Sequence, residues 1–217
     1  MPLAALRRLQ NLAWVCSIRR RSQPFSIILM IFGLALNGCG GSNRAVSVPA
    51  TQVKANANIA FMGDSITSLW MLPTTNLGVS GNTTTQMLAR FEGEVIGHGY
   101  KTVVILAGTN DVRNVNFTAQ HQTAIAIPNI EQMASLAAAA KMTVVLCSIP
   151  PILDQPGRAE VLNAEIVKVA KAQGYLYVDY FTPLNHHPEY FEDNRHPNAA
   201  GYAVMLDVLE KVISINS

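Results

Sequence analysis

The chain has 217 residues, of which 49% are hydrophobic and 14% are charged, enough for one domain with a buried core. Its formal charge of +2 is unevenly distributed, because residues 1–50 contain six arginines and no acidic side chain. Residues 51–217 carry ten basic and fourteen acidic side chains, a net charge of −4. This acidic balance gives no electrostatic reason to expect nucleic acid as a partner.

The first part of the chain resembles an export signal. Arg19, Arg20 and Arg21 precede an uncharged run, 25–36, which is too short to cross a ~30 Å hydrocarbon core as a helix but suits the core of a signal peptide. The sequence "LNGC" that ends at Cys39 resembles the cleavage site of bacterial lipoproteins, and this resemblance implies that Cys39 is lipidated. The alternative is an ordinary signal peptide or an uncleaved anchor with an incidental cysteine.

These features divide the chain into a predicted signal peptide (1–38), a flexible tether (39–56) and a folded domain (57–217). The tether is rich in small and polar residues and has no periodic apolar pattern. With the leader removed and Cys39 lipidated, Cys147 would be the remaining thiol, so we expect no disulfide. We therefore predict a membrane-anchored lipoprotein of the bacterial cell envelope, with a secreted protein as the alternative.

Short apolar runs alternate with longer helical patterns through the predicted domain. The runs are continuously apolar, which indicates strands of a parallel sheet that is buried on both faces. The alternation predicts an α/β doubly wound fold with right-handed crossovers. The predicted strands are 58–63, 75–79, 102–108, 142–149 and 175–180, and the predicted helical segments are 83–98, 118–141, 157–174 and 198–215.

Pro128 lies inside the helical segment 118–141. Proline cannot donate a backbone hydrogen bond, and its ring clashes with the preceding turn of a helix. We therefore expect a break or kink there, with Pro128 in the first turn of the longer helix that follows it.

Polar residues follow the predicted strands at the edge of the sheet where function is usually found. Ser65 follows the first strand, and a serine hydroxyl needs a base within hydrogen-bonding reach to act as a nucleophile. His196, after the fifth strand, can be that base. Asp193, three residues before it, can accept a hydrogen bond from the other ring N–H. A tetrahedral intermediate also needs donors for its oxyanion, which Ser65 N–H, Gly81 N–H and the Asn110 amide can supply.

Three further residues flank this predicted cleft and are candidates for substrate contact: Trp70, Asn82 and Arg113. We predict no cofactor and no metal. The adjacent pair His186 and His187 does not indicate a metal site, because neighbouring side chains point apart and no further ligand has suitable spacing.

Four sequence blocks, "GDSIT", "GVSGNTT", "GTND" and "DNRHPN", occur in the order typical of the GDSL, or SGNH, hydrolases, a family of serine esterases and lipases that the chain resembles from residue 58 onward. The resemblance implies a flavodoxin-like three-layer α/β/α sandwich with a five-stranded parallel sheet of order 2-1-3-4-5. It also implies hydrolysis through an acyl-enzyme without a metal. One departure is the short gap of sixteen positions between Ser65 and Gly81, which leaves little room for a first crossover helix. We expect a more open acyl pocket there, with Trp70 or Met71 near its wall.

Three functions are compatible with these residues. The first is a serine esterase that removes short acyl or acetyl groups from a glycan, and the second is a lysophospholipase or lipase that acts on lipid esters. The third is a non-catalytic lipoprotein that binds a glycan or a lipid on the same scaffold. Ser65, His196, Asp193 and Asn110 together favour an enzyme, because a binding module needs no general base beside a hydroxyl.

Overall fold

The sheet has the predicted topology. A computed structural model of the protein describes residues 56–72 and 74–215. Five strands form one parallel sheet in the order β2-β1-β3-β4-β5, which confirms the predicted α/β fold. The predicted signal peptide and lipidation site at Cys39, and the tether as far as residue 55, lie outside the described residues. The strands are β1 (Asn56–Gly63), β2 (Thr74–Gly78), β3 (Thr102–Leu106), β4 (Thr143–Cys147) and β5 (Leu176–Val178).

Helices cover both faces of the sheet. With the right-handed crossovers that parallel sheets almost always have, α1 lies on one face and α2, α4 and α5 lie on the other, where α4 contacts both α2 and α5. Helix α7 returns to the face of α1, where the hydroxyl of Tyr202 donates to the carbonyl of Ile66 over 2.8 Å. In the described ranges, no helix has the length and apolarity needed to cross a membrane. The helices are α1 (Ser65–Ser68), α2 (Thr84–Val95), α3 (Thr109–Val112), α4 (Ala119–Ala139), α5 (Arg158–Gln173), α6 (Phe181–Leu184) and α7 (Ala199–Glu210).

The crossover from β1 to β2 is as short as the sequence predicts. Helix α1 has four residues, and the chain reaches β2 six residues after it ends. The Asn76 side-chain amide donates to the carbonyls of Thr67 (2.7 Å) and Trp70 (3.1 Å). These bonds satisfy carbonyl groups that a longer helix would pair internally, so the tight connection leaves little backbone unpaired.

Helix α4 corrects the prediction made for Pro128. The helix runs unbroken from Ala119 to Ala139 with Pro128 inside it, so the expected break and the place of Pro128 in a first turn are wrong, whereas the kink stays a prediction. Proline removes one hydrogen bond, but Ile130 and Met133 are fully buried and hold the following turns against the core. The Asn129 side chain also donates to the hydroxyls of Thr84 (3.0 Å) and Thr85 (3.1 Å), which ties α4 to α2 directly after the proline.

The tight crossover makes Gly78 a sensitive position. A Cβ at residue 78 would lie 2.2 Å from the Ser68 backbone nitrogen and 2.7 Å from its Cα, so the backbone must move. We expect Gly78→Ala to lower the free energy of unfolding by about 2–3 kcal/mol, measured by urea denaturation. Gly93→Ala is the matched control, because Gly93 is in α2 and a Cβ there meets nothing within 4 Å. It should stabilise the protein by about 0.5–1 kcal/mol, and equal effects would contradict the packing described.

Candidate active site

Ser65 is placed by a tight turn at the carboxyl end of β1. Gly63 is required there, because a Cβ would lie 2.0 Å from the Thr67 hydroxyl oxygen. Asp64 is fully buried, and its Oδ1 accepts a hydrogen bond of 2.9 Å from Ile66 N–H. This bond caps α1 and holds Ser65 as the first residue of the helix.

His196 lies on a closed loop between β5 and α7. Glu192 N–H donates to the His196 carbonyl (2.9 Å), and Phe191 forms an antiparallel bridge with Pro197. Asn198 then caps α7, because its side-chain oxygen accepts hydrogen bonds from the N–H groups of Ala200 (3.0 Å) and Gly201 (3.1 Å). The loop is therefore held at its base by backbone bonds and at its end by a helix cap.

The structure brings Ser65, His196 and Asp193 into one line of contacts. Ser65 Oγ lies 2.9 Å from His196 Nε2, and His196 Nδ1 lies 2.7 Å from Asp193 Oδ2. Asp193 Oδ1 also accepts from the backbone N–H groups of Arg195 and His196, each at 2.8 Å. The carboxylate thus accepts a hydrogen bond from Nδ1–H, which leaves Nε2 free to accept a hydrogen bond from the serine hydroxyl.

The charge of Asp193 is maintained by these contacts. Burial raises its pKa, but hydrogen bonds from the His196 backbone and ring and from Arg195 N–H outweigh that effect and hold the pKa well below its usual value. Asp193 is therefore ionised over the range in which histidine titrates. A permanent negative charge beside the imidazole can stabilise the protonated ring that forms when His196 takes a proton.

Asn110 is the second residue of α3, which follows β3, and Gly81 lies in the loop after β2. Asn110 Nδ2 donates to the Asn82 carbonyl over 3.0 Å and lies 3.4 Å from Asp64 Oδ2. Gly81 immediately precedes Asn82 and has φ +80°, a left-handed conformation that favours glycine. The loops that follow β1, β2 and β3 are thereby joined next to Ser65.

A second buried carboxylate supports this junction. Asp111 accepts from the backbone N–H (2.9 Å) and hydroxyl (2.6 Å) of Thr84, which links the loop after β3 to the start of α2. Burial raises the pKa of Asp111, and it raises the pKa of Asp64 to about 6. Asp64 and Asp111 stand inside the blocks "GDSIT" and "GTND", but a sequence does not reveal that a carboxylate is desolvated.

The three candidates for substrate contact have different surroundings. Asn82 is half-buried, and its side-chain oxygen accepts from Arg90 Nε. Arg113 follows α3 and is half-buried, and within the described ranges its Nε has no hydrogen-bond partner. Both residues lie in loops next to Asn110, so substrate contact stays a prediction for them.

Trp70 is largely buried in the core. Its side chain is 5% exposed and stacks on Tyr202, with ring centroids 5.5 Å apart. It also packs edge-on against Phe61 and Tyr180. Because the short crossover folds Trp70 back over the sheet, most of its side chain belongs to the core, and substrate contact stays a prediction for it.

Comparison with known proteins decides the family. Residues 54–204 match the model of the GDSL-like lipase/acylhydrolase family. The chain belongs to this family. A GDSL-like lipase from Bacteroides thetaiotaomicron shares 34% identity, with 77% of this chain and 91% of that chain covered and a TM-score of 0.63. No curated protein shows significant sequence similarity to the chain.

More distant solved structures of similar fold include two enzymes. A lipase/acylhydrolase from Enterococcus faecalis is 21% identical, covers 71% of this chain and 94% of its own, and has a TM-score of 0.62. A catalytic mutant of an acetylxylan esterase from Geobacillus stearothermophilus is 18% identical, with 74% of this chain and 95% of that chain covered and a TM-score of 0.63. At these identities the likeness shows the fold. Membership of the GDSL-like family makes the protein an ester hydrolase.

Asp64 predicts a pH dependence of stability. Its native pKa of about 6 lies above the unfolded value of 3.8, so the native state binds more protons between these values. The Asp64 contribution to the free energy of unfolding therefore falls as pH rises from about 4 to about 6. Asp64→Asn keeps the helix cap but cannot ionise, so its stability relative to the wild type should rise by about 3 kcal/mol over this range, measured by urea denaturation.

Asp207→Asn is the control for this experiment, because the Asp207 side chain is 69% exposed. The stability of Asp207→Asn relative to the wild type should stay constant over the same pH range. An Asp64→Asn curve parallel to that of the wild type between pH 4 and 7 would contradict the raised pKa.

Proposed function

We propose that this GDSL-like hydrolase cleaves carboxylic esters through an acyl-enzyme on Ser65. The observation that carries the proposal is the 2.9 Å contact between Ser65 Oγ and His196 Nε2, backed by Asp193 at 2.7 Å from the other ring nitrogen. A base at this distance can take the hydroxyl proton as the oxygen attacks.

The reaction follows from these contacts. His196 Nε2 takes the Ser65 proton while Oγ bonds to the carbonyl carbon, and the carbonyl oxygen becomes an oxyanion. Ser65 N–H, Gly81 N–H and the Asn110 amide are the donors proposed for this oxygen. The carbon–oxygen bond to the alcohol then breaks, and His196 returns its proton to the leaving alcohol. Water repeats the sequence on the acyl-enzyme, releasing the acid and restoring Ser65.

The preferred substrate is an acetyl or other short acyl ester on a glycan. The Asp193 side chain is 46% exposed and Gly81 is exposed, so the reacting groups lie near the surface, within reach of an ester on a bulky alcohol. A long acyl chain gains affinity by burying apolar area, about 25 cal/mol per Å², whereas an acetyl group needs little apolar surface beyond the reacting groups. The likeness in fold to the acetylxylan esterase agrees with this choice.

A lipid ester is the second candidate, and one observation favours it. The loop that follows Asn110 exposes two apolar side chains, Val115 (70% exposed) and Phe117 (48% exposed). Such residues beside a site can contact an acyl chain or a lipid surface.

The proposed location is the bacterial cell envelope, with a lipid on Cys39 attaching the enzyme to a membrane. Support comes from the arginine-rich flank, the apolar run 25–36 and the "LNGC" sequence. The acidic balance of residues 51–217 offers no attraction for nucleic acid, so the proposed partners are the ester substrate and the membrane.

A series of 4-nitrophenyl esters from acetyl to palmitoyl, measured with the full-length protein, tests both the preferred acyl chain length and the role of Ser65. We expect acetyl and butyryl esters to be preferred, and Ser65→Ala to lower kcat at least about a thousandfold. Ser68→Ala, one turn along α1 and exposed, is the matched control and should stay within about twofold. Undiminished turnover by Ser65→Ala would overturn the mechanism, whereas preference for long chains would support the lipid alternative.

The role of His196 predicts a loss of activity on acidification. Only the neutral ring can take the serine proton, so kcat/KM for 4-nitrophenyl acetate should decrease as the ring becomes protonated. The measurement is a profile of kcat/KM from pH 4 to pH 9. A profile that stays flat down to pH 4 would contradict His196 as the base.

A further inference from the structure

Arg90 connects the loops that carry the proposed oxyanion donors. It is a residue of α2 whose side chain is 16% exposed, so most of the side chain is removed from water. Its Nε donates to Asn82 Oδ1 over 2.9 Å, and its Nη2 donates to the Gly63 carbonyl over 3.0 Å. Its Nη1 pairs with Glu94 on the same helix. Each of its three nitrogens therefore has an acceptor.

The two loop acceptors are close in sequence to the reacting groups. Gly63 is two residues before Ser65, so its carbonyl belongs to the turn that sets the Ser65 N–H. Asn82 directly follows Gly81, and the Asn82 carbonyl accepts from Asn110 Nδ2 over 3.0 Å. Arg90 thus contacts two of the donor segments directly and reaches the third, Asn110, through Asn82.

The planar guanidinium suits this role better than another cation would. Nε and Nη2 are separate donors held at fixed positions, so one side chain can bond two backbone segments at once. A lysine has a single nitrogen on a flexible chain and cannot reproduce both bonds in that geometry. The Gly63 carbonyl also accepts from Val79 N–H (3.1 Å), which extends the contact between β1 and β2 past Gly63.

We propose that Arg90 is a positioning residue for ester hydrolysis, holding the Gly63 and Asn82 segments so that Ser65 N–H, Gly81 N–H and the Asn110 amide converge on the oxyanion. The inference rests on the proposed function, because it concerns donors to that reaction's intermediate. Since it affects the charged intermediate, loss of Arg90 should reduce kcat and leave the binding of the neutral ester nearly unchanged.

The test compares Arg90→Lys with the wild type, using 4-nitrophenyl butyrate as substrate and butylboronic acid as inhibitor. Boron bonds to Ser65 Oγ as the hydroxyl proton passes to His196, giving a tetrahedral anion that resembles the intermediate. We expect kcat to fall about tenfold, KM to change less than about twofold, and the inhibition constant of the boronic acid to rise about tenfold.

Lys168→Met is the matched control, because Lys168 also pairs with a glutamate of its own helix, at the exposed surface of α5. It should keep kcat and the inhibition constant of the wild type. A kcat for Arg90→Lys within twofold of the wild type would overturn the proposal. A lower kcat with an unchanged inhibition constant would also overturn it, because the loss would then not concern the tetrahedral state.

A second variant keeps the test decisive if Arg90→Lys does not fold. Asn82→Ala removes the side-chain acceptor of Arg90 and should give the same pattern, a lower kcat with a proportionally weaker boronic acid. If both variants fold, Arg90→Lys should lose clearly less activity in the Asn82→Ala background than in the wild type. Losses that multiply independently would show that Arg90 does not act through Asn82.

The two proposals fail in different ways. Full turnover by Ser65→Ala would refute the acyl-enzyme mechanism, and with it the role of Arg90 in positioning donors to the oxyanion. An esterase that depends on Ser65 but tolerates Arg90→Lys would keep the mechanism and refute only the role of Arg90.

Discussion

The hydrogen bond between Ser65 Oγ and His196 Nε2 joins residues that are 131 positions apart, and the sheet topology makes it possible. β1 lies between β2 and β3, so the crossover from β1 to β2 and the crossover from β2 to β3 run in opposite directions across the sheet. In open parallel sheets this reversal opens a crevice at the carboxyl ends of the strands. Ser65 stands at the edge of that crevice, and the loop before α7 brings His196 back to it. The geometry of the site therefore depends on strand order before it depends on any loop.

Buried charge is the second constraint on the site. Asp64, Asp111 and the largely buried Arg90 are costly to remove from water, and each is offset by hydrogen bonds to neighbouring loops. A satisfied polar network resists displacement, because moving one member leaves another unpaired in a region of low dielectric. Fixed donors around a developing charge lower the barrier, since they need no rearrangement during the reaction. Desolvation of Asp64 therefore lowers the free energy of unfolding, while the hydrogen bonds of the same network keep the junction beside Ser65 rigid.

Much of this architecture can be predicted from local patterns, because strands and glycine turns depend on neighbouring residues. The buried runs, the short first crossover and the cap by Asp64 are of this kind. The positions of Pro128 and Trp70 could not be predicted from local patterns, because tertiary packing decides them, the first within a helix held by its buried face and the second over the sheet. Arg90 was not identified because an arginine on an amphipathic helix has the same local pattern whether it faces solvent or bonds a side-chain oxygen and a backbone carbonyl of other segments.

The short crossover links packing to chemistry. With only four residues in α1, the space that a longer helix would fill is occupied by Trp70, which stacks on Tyr202 of α7. The Tyr202 hydroxyl donates to the carbonyl of Ile66, the residue after Ser65, so α7 holds the nucleophile turn from behind. Met71 is left 95% exposed, because nothing in the described part of the chain covers it. A trimmed connection can thus keep Ser65 in place, provided that aromatic packing replaces the missing helix and one hydroxyl bonds the turn.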